Sequence, residues 1–261
     1  MKKSVQAISR FNKTLFGKWA AAFLPVLIFL LSFSVAEVFS SVLLDTRESS
    51  YEIFSHGLRI GEVKTVCGPV ARERGKAFRF ESSMHIDARF VFLSYTLDKK
   101  EEAMVGSEGT LSYRRTSHEN GKNILVAGRM EDGVFRFHIT ENGEKRTLVI
   151  PRRKYDYTSL DCPETALGSE EREKTLRILD LENLEIVTRK YRWVREEDVR
   201  VGDRRIHCKV IDFEDSNKRG RRWVDEDELG ILVTRQDGTG KGVSYSSRLT
   251  SLAVKSRPGI L

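Results

Sequence analysis

The sequence predicts an all-β fold: a long antiparallel meander curved into a half-barrel or open barrel, with little helix. Three observations predict it. Short runs rich in β-branched and aromatic residues recur over residues 49–254, separated by Gly, Asp and Asn. The stretch from Lys190 to Leu252 repeats strand, turn and strand several times over. Nowhere do apolar residues keep helical spacing long enough for an extended amphipathic helix.

The chain begins with an address. Residues 1–36 carry Lys2, Lys3, Arg10, Lys13 and Lys18 and no acidic residue, and Trp19 to Phe33 is apolar and uncharged. Ser34-Val35-Ala36 then supplies small residues at the positions a signal peptidase reads. A basic lead, an apolar run and an A-x-A-like end describe a secretory signal peptide, cut between Ala36 and Glu37. An uncleaved inner-membrane anchor is the alternative, because about 17 to 20 apolar residues span a bilayer; residues 19–35 would then contact the membrane. No Cys follows the apolar run, so a lipoprotein is not indicated. Either reading sends the rest of the chain to the periplasm. Residues 37–48 read as a linker, 49–254 as one antiparallel β domain and 255–261 as a tail.

The formal net charge of +7 belongs mostly to that leader. Beyond residue 36 there are 40 basic and 38 acidic residues, interspersed. Nucleic-acid binding needs concentrated positive potential, so no nucleic-acid partner is expected. The two dense basic runs, Arg152-Arg153-Lys154 and Lys218-Arg219-Gly220-Arg221-Arg222, read as solvated turns and strand ends.

Along the exported part, Ser49 to His56 and Glu62 to Cys67 make a strand pair around Gly57-Leu58-Arg59-Ile60-Gly61. Next comes the clearest period-two signal: Phe78, Phe80, Ser82, Met84 and Ile86 share one face, and Arg79, Glu81, Ser83, His85 and Asp87 the other. Phe90 to Leu97 is more uniformly apolar, which predicts a strand covered on both sides. Leu111 to Ser117 joins Asn123 to Met130 through Asn120-Gly121, and Val134 to Thr140 joins Lys145 to Ile150 through Asn142-Gly143. Asn-Gly favours the positive φ angles of a tight hairpin. Residues 151–173 break the rhythm, with one helical turn expected after Ser169. Thr175 to Leu179 and Glu185 to Tyr191 then read as a hairpin, with a helix over 169–183 as the alternative. Four further strands follow, turning at Gly202-Asp203, Asp215-Ser216-Asn217, Glu228-Leu229-Gly230 and Asp237-Gly238-Thr239-Gly240.

Chemistry is harder to find. There is no Gly-rich phosphate loop, no G-x-S-x-G elbow and no H-E-x-x-H. His85 and His138 fall on polar strand faces. Cys208 alternates with Ile206 and Val210 and is expected in the core, while the spacing of Cys67, Cys162 and Cys208 identifies no pair. His207 and Cys208 point to opposite sides of one strand and cannot share a metal. Asp225-Glu226-Asp227-Glu228 lacks the spaced pattern of a calcium loop and reads as a solvated turn. No catalytic residue, metal or cofactor is therefore expected. Aromatic residues are spread over many strands, and a curled sheet so lined makes either a filled core or a pocket for an apolar ligand. The candidates for that lining are Phe78, Phe80, Phe90, Phe92, Trp193 and Trp223.

Tyr51-Glu52-Ile53 followed by Gly57-Leu58-Arg59-Ile60-Gly61-Glu62 resembles the opening strand pair of a group of exported bacterial proteins of unknown function. Arg222-Trp223-Val224-Asp225 with Gly230-Ile231-Leu232-Val233-Thr234-Arg235 resembles that group's closing motif, and Asp161-Cys162-Pro163-Glu164 resembles its middle loop. The resemblance implies a curved antiparallel sheet akin to the half-barrels that carry lipids or lipoproteins across the periplasm, and it implies no catalytic residues. This chain lacks the long helix that plugs those carriers. The expectation is an exported, non-catalytic protein that binds an apolar or lipid-like ligand. An envelope factor holding a protein partner through its sheet edges is the alternative, and a hydrolase a more distant one.

Overall fold

A computed structural model describes residues 43–258 of the chain, apart from 71–76, 91–92 and 241. The leader, with its proposed cleavage site, and Phe92 lie outside the described residues, as does the side chain of Phe90. The described strands are β1 (Leu43–Ser55), β2 (Leu58–Val70), β3 (Ala77–Phe90), β4 (Leu93–Gly106), β5 (Gly109–Glu119), β6 (Lys122–Glu131), β7 (Val134–Glu141) and β8 (Glu144–Pro151) in a first group. The second comprises β9 (Tyr157–Thr158), β10 (Glu173–Asp180), β11 (Glu185–Val201), β12 (Arg204–Glu214), β13 (Lys218–Asp227), β14 (Gly230–Gly240) and β15 (Val243–Pro258). All lie in one sheet, in the order β8 to β1, then β15 down to β9. Every neighbour is antiparallel except the two-residue β9, which runs parallel to β10. The sheet is curved and unclosed, as the alternation predicts.

Two meanders thus join where the first strand meets the last. β1 pairs with β15 from Leu43↔Pro258 to Phe54↔Ser246. This seam extends beyond the stretch in which side chains alternate, because backbone pairing asks nothing of side-chain polarity at a strand's ends. The Asn-Gly turns form as expected: Asn142 has φ 49° and Gly143 φ 94°, and Asp132-Gly133 repeats the geometry at 49° and 73°.

Two expectations are corrected. Phe90 to Leu97 is not one doubly covered strand: β3 ends at Phe90, β4 starts at Leu93, and Ser94 and Thr96 are exposed while Leu97 is buried. An apolar run shared between the end of one strand and the start of the next looks the same as a buried strand to hydropathy. Residues after Ser169 form bends rather than a helical turn; the short 3-10 turns lie at Arg152–Lys154 and Pro163–Ala166. The hairpin of β10 and β11 stands where the alternative placed a helix.

The core is divided among three clusters. Tyr113, Val126, Phe135, Phe137, Ile139 and Ile150 of β5–β8 pack with Leu179, Leu181 and Leu184 from the β10–β11 corner and with Tyr155. Leu167, Ile178, Val187, Tyr191, Ile211, Phe213 and Val224 form the second. Val201, Ile206, Cys208, Val210, Trp223, Leu232 and Leu249 form the third. The segment that breaks the strand rhythm, 151–172, therefore contributes Tyr155 and Leu167 to the interior. A polar staple holds the β13–β14 turn: buried Arg47 donates to Asp227 Oδ1 at 2.6 Å and to the carbonyls of Gly230 and Ile231 at 3.0 and 2.6 Å.

Candidate functional site

The sequence-predicted aromatic lining does not converge. Phe80 packs on the first core cluster, Trp193 on the second, and Trp223 belongs to the third. Phe78 approaches Gly230, whose added Cβ would sit 3.4 Å from its ring. Of the four whose side chains are described, Trp223 lines one of the two grooves below, and its exposure is 5%. Arg235 covers its ring, 4.4 Å from the centroid.

Beside Tyr191 and Phe213 of the second cluster lies a buried ionic network that sequence reading missed. Arg189 is fully buried and donates from Nε to Asp215 Oδ2 at 2.7 Å, with Asp180 3.9 Å away. Lys218 closes on Asp180 at 3.0 Å. Burial pushes the Asp180 carboxyl up, but Lys218, the Glu182 N–H and Arg189 outweigh it and hold it below the ordinary carboxylate range. Nearby, Arg222 donates to Glu164 Oε1 at 2.7 Å. Beside this pair, desolvation pushes the half-buried Cys162 thiol up to about 12, away from the thiolate a nucleophile needs. The three cysteines are free thiols, and Cys208 lies fully buried against Thr234. These contacts cross from the irregular 151–172 segment and the strand corners, where no periodic pattern reports them.

The histidines sit in ordinary strand-surface contacts. His85 bonds Asp98 at 2.7 Å, and His207 bonds Asp198 at 2.8 Å and Glu196 at 3.2 Å. Those hydrogen bonds raise both imidazoles above the usual histidine value. His56 stands 3.1 Å from Ser55 Oγ, but that hydroxyl donates to the Ser244 carbonyl at 2.9 Å. The imidazole thus shares that hydroxyl with a carbonyl acceptor. Among the described residues, no three His, Cys, Asp or Glu groups gather to hold a metal.

Two grooves remain. The larger, about 1230 Å³, runs over β10–β15. Register sets Glu173, Arg192, Asp212, Arg221, Asp237 and Ser246 in one row across its floor. The row largely satisfies itself. Asp212 accepts from Arg221 at 2.6 Å and from Arg192 at 2.8 Å, contacts that lower its carboxyl, and Ser246 donates to Asp237 at 2.8 Å. A ligand on that row would have to displace ion pairs already made, whereas Arg219 and Arg248 at the same groove have no carboxylate within 4.0 Å among the described residues.

The smaller groove, about 590 Å³, crosses the exposed side of β2–β7. Val66, Pro69, Val70 and Met104 supply apolar surface at its β2–β4 side. On the β5–β7 side stand Arg114, Arg129 and Arg136. Arg129 and Arg136 are directly opposite one another across β6 and β7, and Arg114, opposite Ala127, is a diagonal neighbour of Arg129. Like charges directly opposite destabilise a sheet. Among the described residues, none of these three arginines has a carboxylate within 4.0 Å, whereas Arg79 in the same groove holds Glu81 at 2.7 Å. Counting outward from the Asp132-Gly133 turn pairs 129 with 136, so the sequence carried this signal.

Comparison with known proteins agrees on architecture. No protein-family model and no curated protein matches the sequence. The chain is similar to a crystal structure described as a β-barrel-like protein of domain of unknown function DUF1849 from Brucella abortus. The TM-score is 0.56 at 12% identity, covering 82% of this chain and 98% of the other. The likeness is one of fold. It extends the barrel-like description to this sheet and carries no residue roles.

Proposed function

We propose that this protein is an exported, non-catalytic binding protein of the cell envelope, and that its ligand is a lipid-like amphiphile with an anionic head. The supporting observation is the 590 Å³ groove in which Arg129 and Arg136 stand opposed, with no carboxylate within 4.0 Å among the described residues, beside Val66, Pro69, Val70 and Met104; Glu102, opposite Arg114, and Glu81 and Glu131 also line it. Mostly apolar pockets with a few convergent polar groups are the usual shape of small-molecule sites. An anionic head would relieve the opposed arginines through charge-assisted hydrogen bonds, while a tail lies along Met104 toward Val70. In the larger groove the row from Glu173 to Ser246 is already paired and Arg235 holds Asp237, while Arg248 opposite Arg235 lies over the Phe54 ring. Export rests on the leader, residues 1–36, with the periplasm as destination.

Native mass spectrometry of protein taken from its own host tests this reading. The expected spectrum contains an adduct with the mass of an anionic amphiphile, lost from the Arg129→Gln/Arg136→Gln variant. Bare protein, or an adduct that the variant retains, would contradict the assignment.

A further inference from the structure

An unclosed sheet has edges, and the outer edge of β8 is unpaired among the described residues. Its hydrogen-bonding phase follows from the two-residue turn before it. Glu141 and Glu144 flank Asn142-Gly143 and form the first hydrogen-bonded pair. Pairs then alternate, so Glu144, Arg146, Leu148 and Ile150 bond inward to β7. The backbone N–H and C=O groups of Lys145, Thr147 and Val149 point outward. All three residues are exposed, Val149 to 43%. Long free edges are templates for pairing with another chain.

We propose that two copies of this chain pair antiparallel along β8, centred on Thr147, to make one continuous sheet. Centring there sets Thr147 opposite Thr147 of the partner subunit, and Lys145 and Val149 opposite Val149 and Lys145 of the partner subunit. All three outward-facing residues fall in hydrogen-bonded pairs, so the edge is complementary to itself. No like charges meet directly, and each lysine stem can cover a valine.

The ends of the strand also match. The turn before β8 carries Glu141 and Glu144, and the turn after it carries Arg153 and Lys154, all four exposed. Antiparallel self-pairing brings the basic turn of one copy to the acidic turn of the other. An unrelated peptide would need an acidic segment to use the same basic end, whereas a second copy already brings one. The pairing uses backbone at the sheet edge and does not depend on the ligand reading.

Sedimentation of the full chain over a concentration series should show a mass approaching twice that of one chain. Thr147→Pro removes an outward N–H that β7 does not use, and should abolish the dimer with far-UV circular dichroism unchanged. As a second readout, Thr147→Cys should cross-link to a covalent dimer on mild oxidation, while Thr116→Cys, exposed in mid-sheet on β5, should not. A wild-type chain that stays monomeric throughout, a dimer that persists in Thr147→Pro, or a Thr147→Cys chain that fails to cross-link would each overturn the proposal.

Discussion

Replacing Arg189 by Met separates the cost of a stranded charge from the cost of a lost contact. The arginine is fully buried, as are the Asp180 and Asp215 side chains it faces, so solvent screens little of the interaction. Methionine is a flexible apolar side chain that fits irregular space, so the substitution chiefly removes charge. Asp180 keeps Lys218 at 3.0 Å and the Glu182 N–H. Asp215 keeps backbone N–H donors from Asn217 and Lys218 on Oδ1, but Oδ2 loses its only charged donor. One carboxylate is stranded rather than two, which puts the loss at the lower end of the roughly 3–5 kcal/mol seen for broken buried pairs. For a domain of this size, about 3 kcal/mol lowers Tm by roughly 6–12 °C. Urea unfolding followed by tryptophan fluorescence measures it. Arg189→Met/Asp215→Asn, which neutralises the stranded group, should recover more than half. A single variant within about 1 kcal/mol of wild type, or a double variant no better than the single, would refute the reasoning.

Other consequences are equally open to measurement. Gly128 lies beneath the stacked rings of Phe135 and Phe137, whose centroids are 4.5 Å apart, and an added Cβ would fall 2.5 Å from the Phe137 ring. Gly128→Ala should therefore cost about 1–3 kcal/mol in chemical denaturation; a neutral result would mean that the rings move freely. Trp223→Ala should cost roughly 3–5 kcal/mol and leave amphiphile binding intact, since Trp223 sits in the third core cluster; weakened binding at unchanged Tm would reverse that assignment. Asp180 is held below the ordinary carboxylate range, as are Asp212 by Arg221 and Asp156 by Arg177. Their contributions are complete above the unfolded-state value near 4 and are lost as pH falls through the lower folded values. Tm should thus drop as pH falls below about 4, and a flat acid profile would contradict these pairings.

Much of the fold was legible because a two-residue period and a tight turn are both local. Asn142-Gly143 announces its hairpin, and the alternation from Phe78 to Ile86 announces its strand. The apolar run from Phe90 to Leu97 misled because hydropathy does not mark where one strand ends and the next begins when both ends are apolar. The Arg189 network was invisible for a different reason: Asp180, Arg189, Asp215 and Lys218 come from two separate corners, and their burial depends on how the sheet curls. Phe80, Trp193 and Trp223 looked like one lining because each alternates inward on its own strand. The curl sends them to three different clusters. Arg129 and Arg136 could have been paired by counting from their turn, but their lack of carboxylates depends on what the neighbouring strands bring.

The central claim is that the opposed arginines serve a ligand, and one titration tests it most directly. A fluorescent fatty acid is added to the protein and to its Arg129→Gln/Arg136→Gln variant, with the stability of both measured in parallel. Removing a like-charge pair should leave stability unchanged or raise it by about 0.2–1 kcal/mol, while affinity for the anionic probe falls at least about tenfold, the equivalent of 1.4 kcal/mol. That opposite movement of binding and stability is what the account predicts. No saturable binding to the wild-type protein, or equal affinity in the variant, would contradict it.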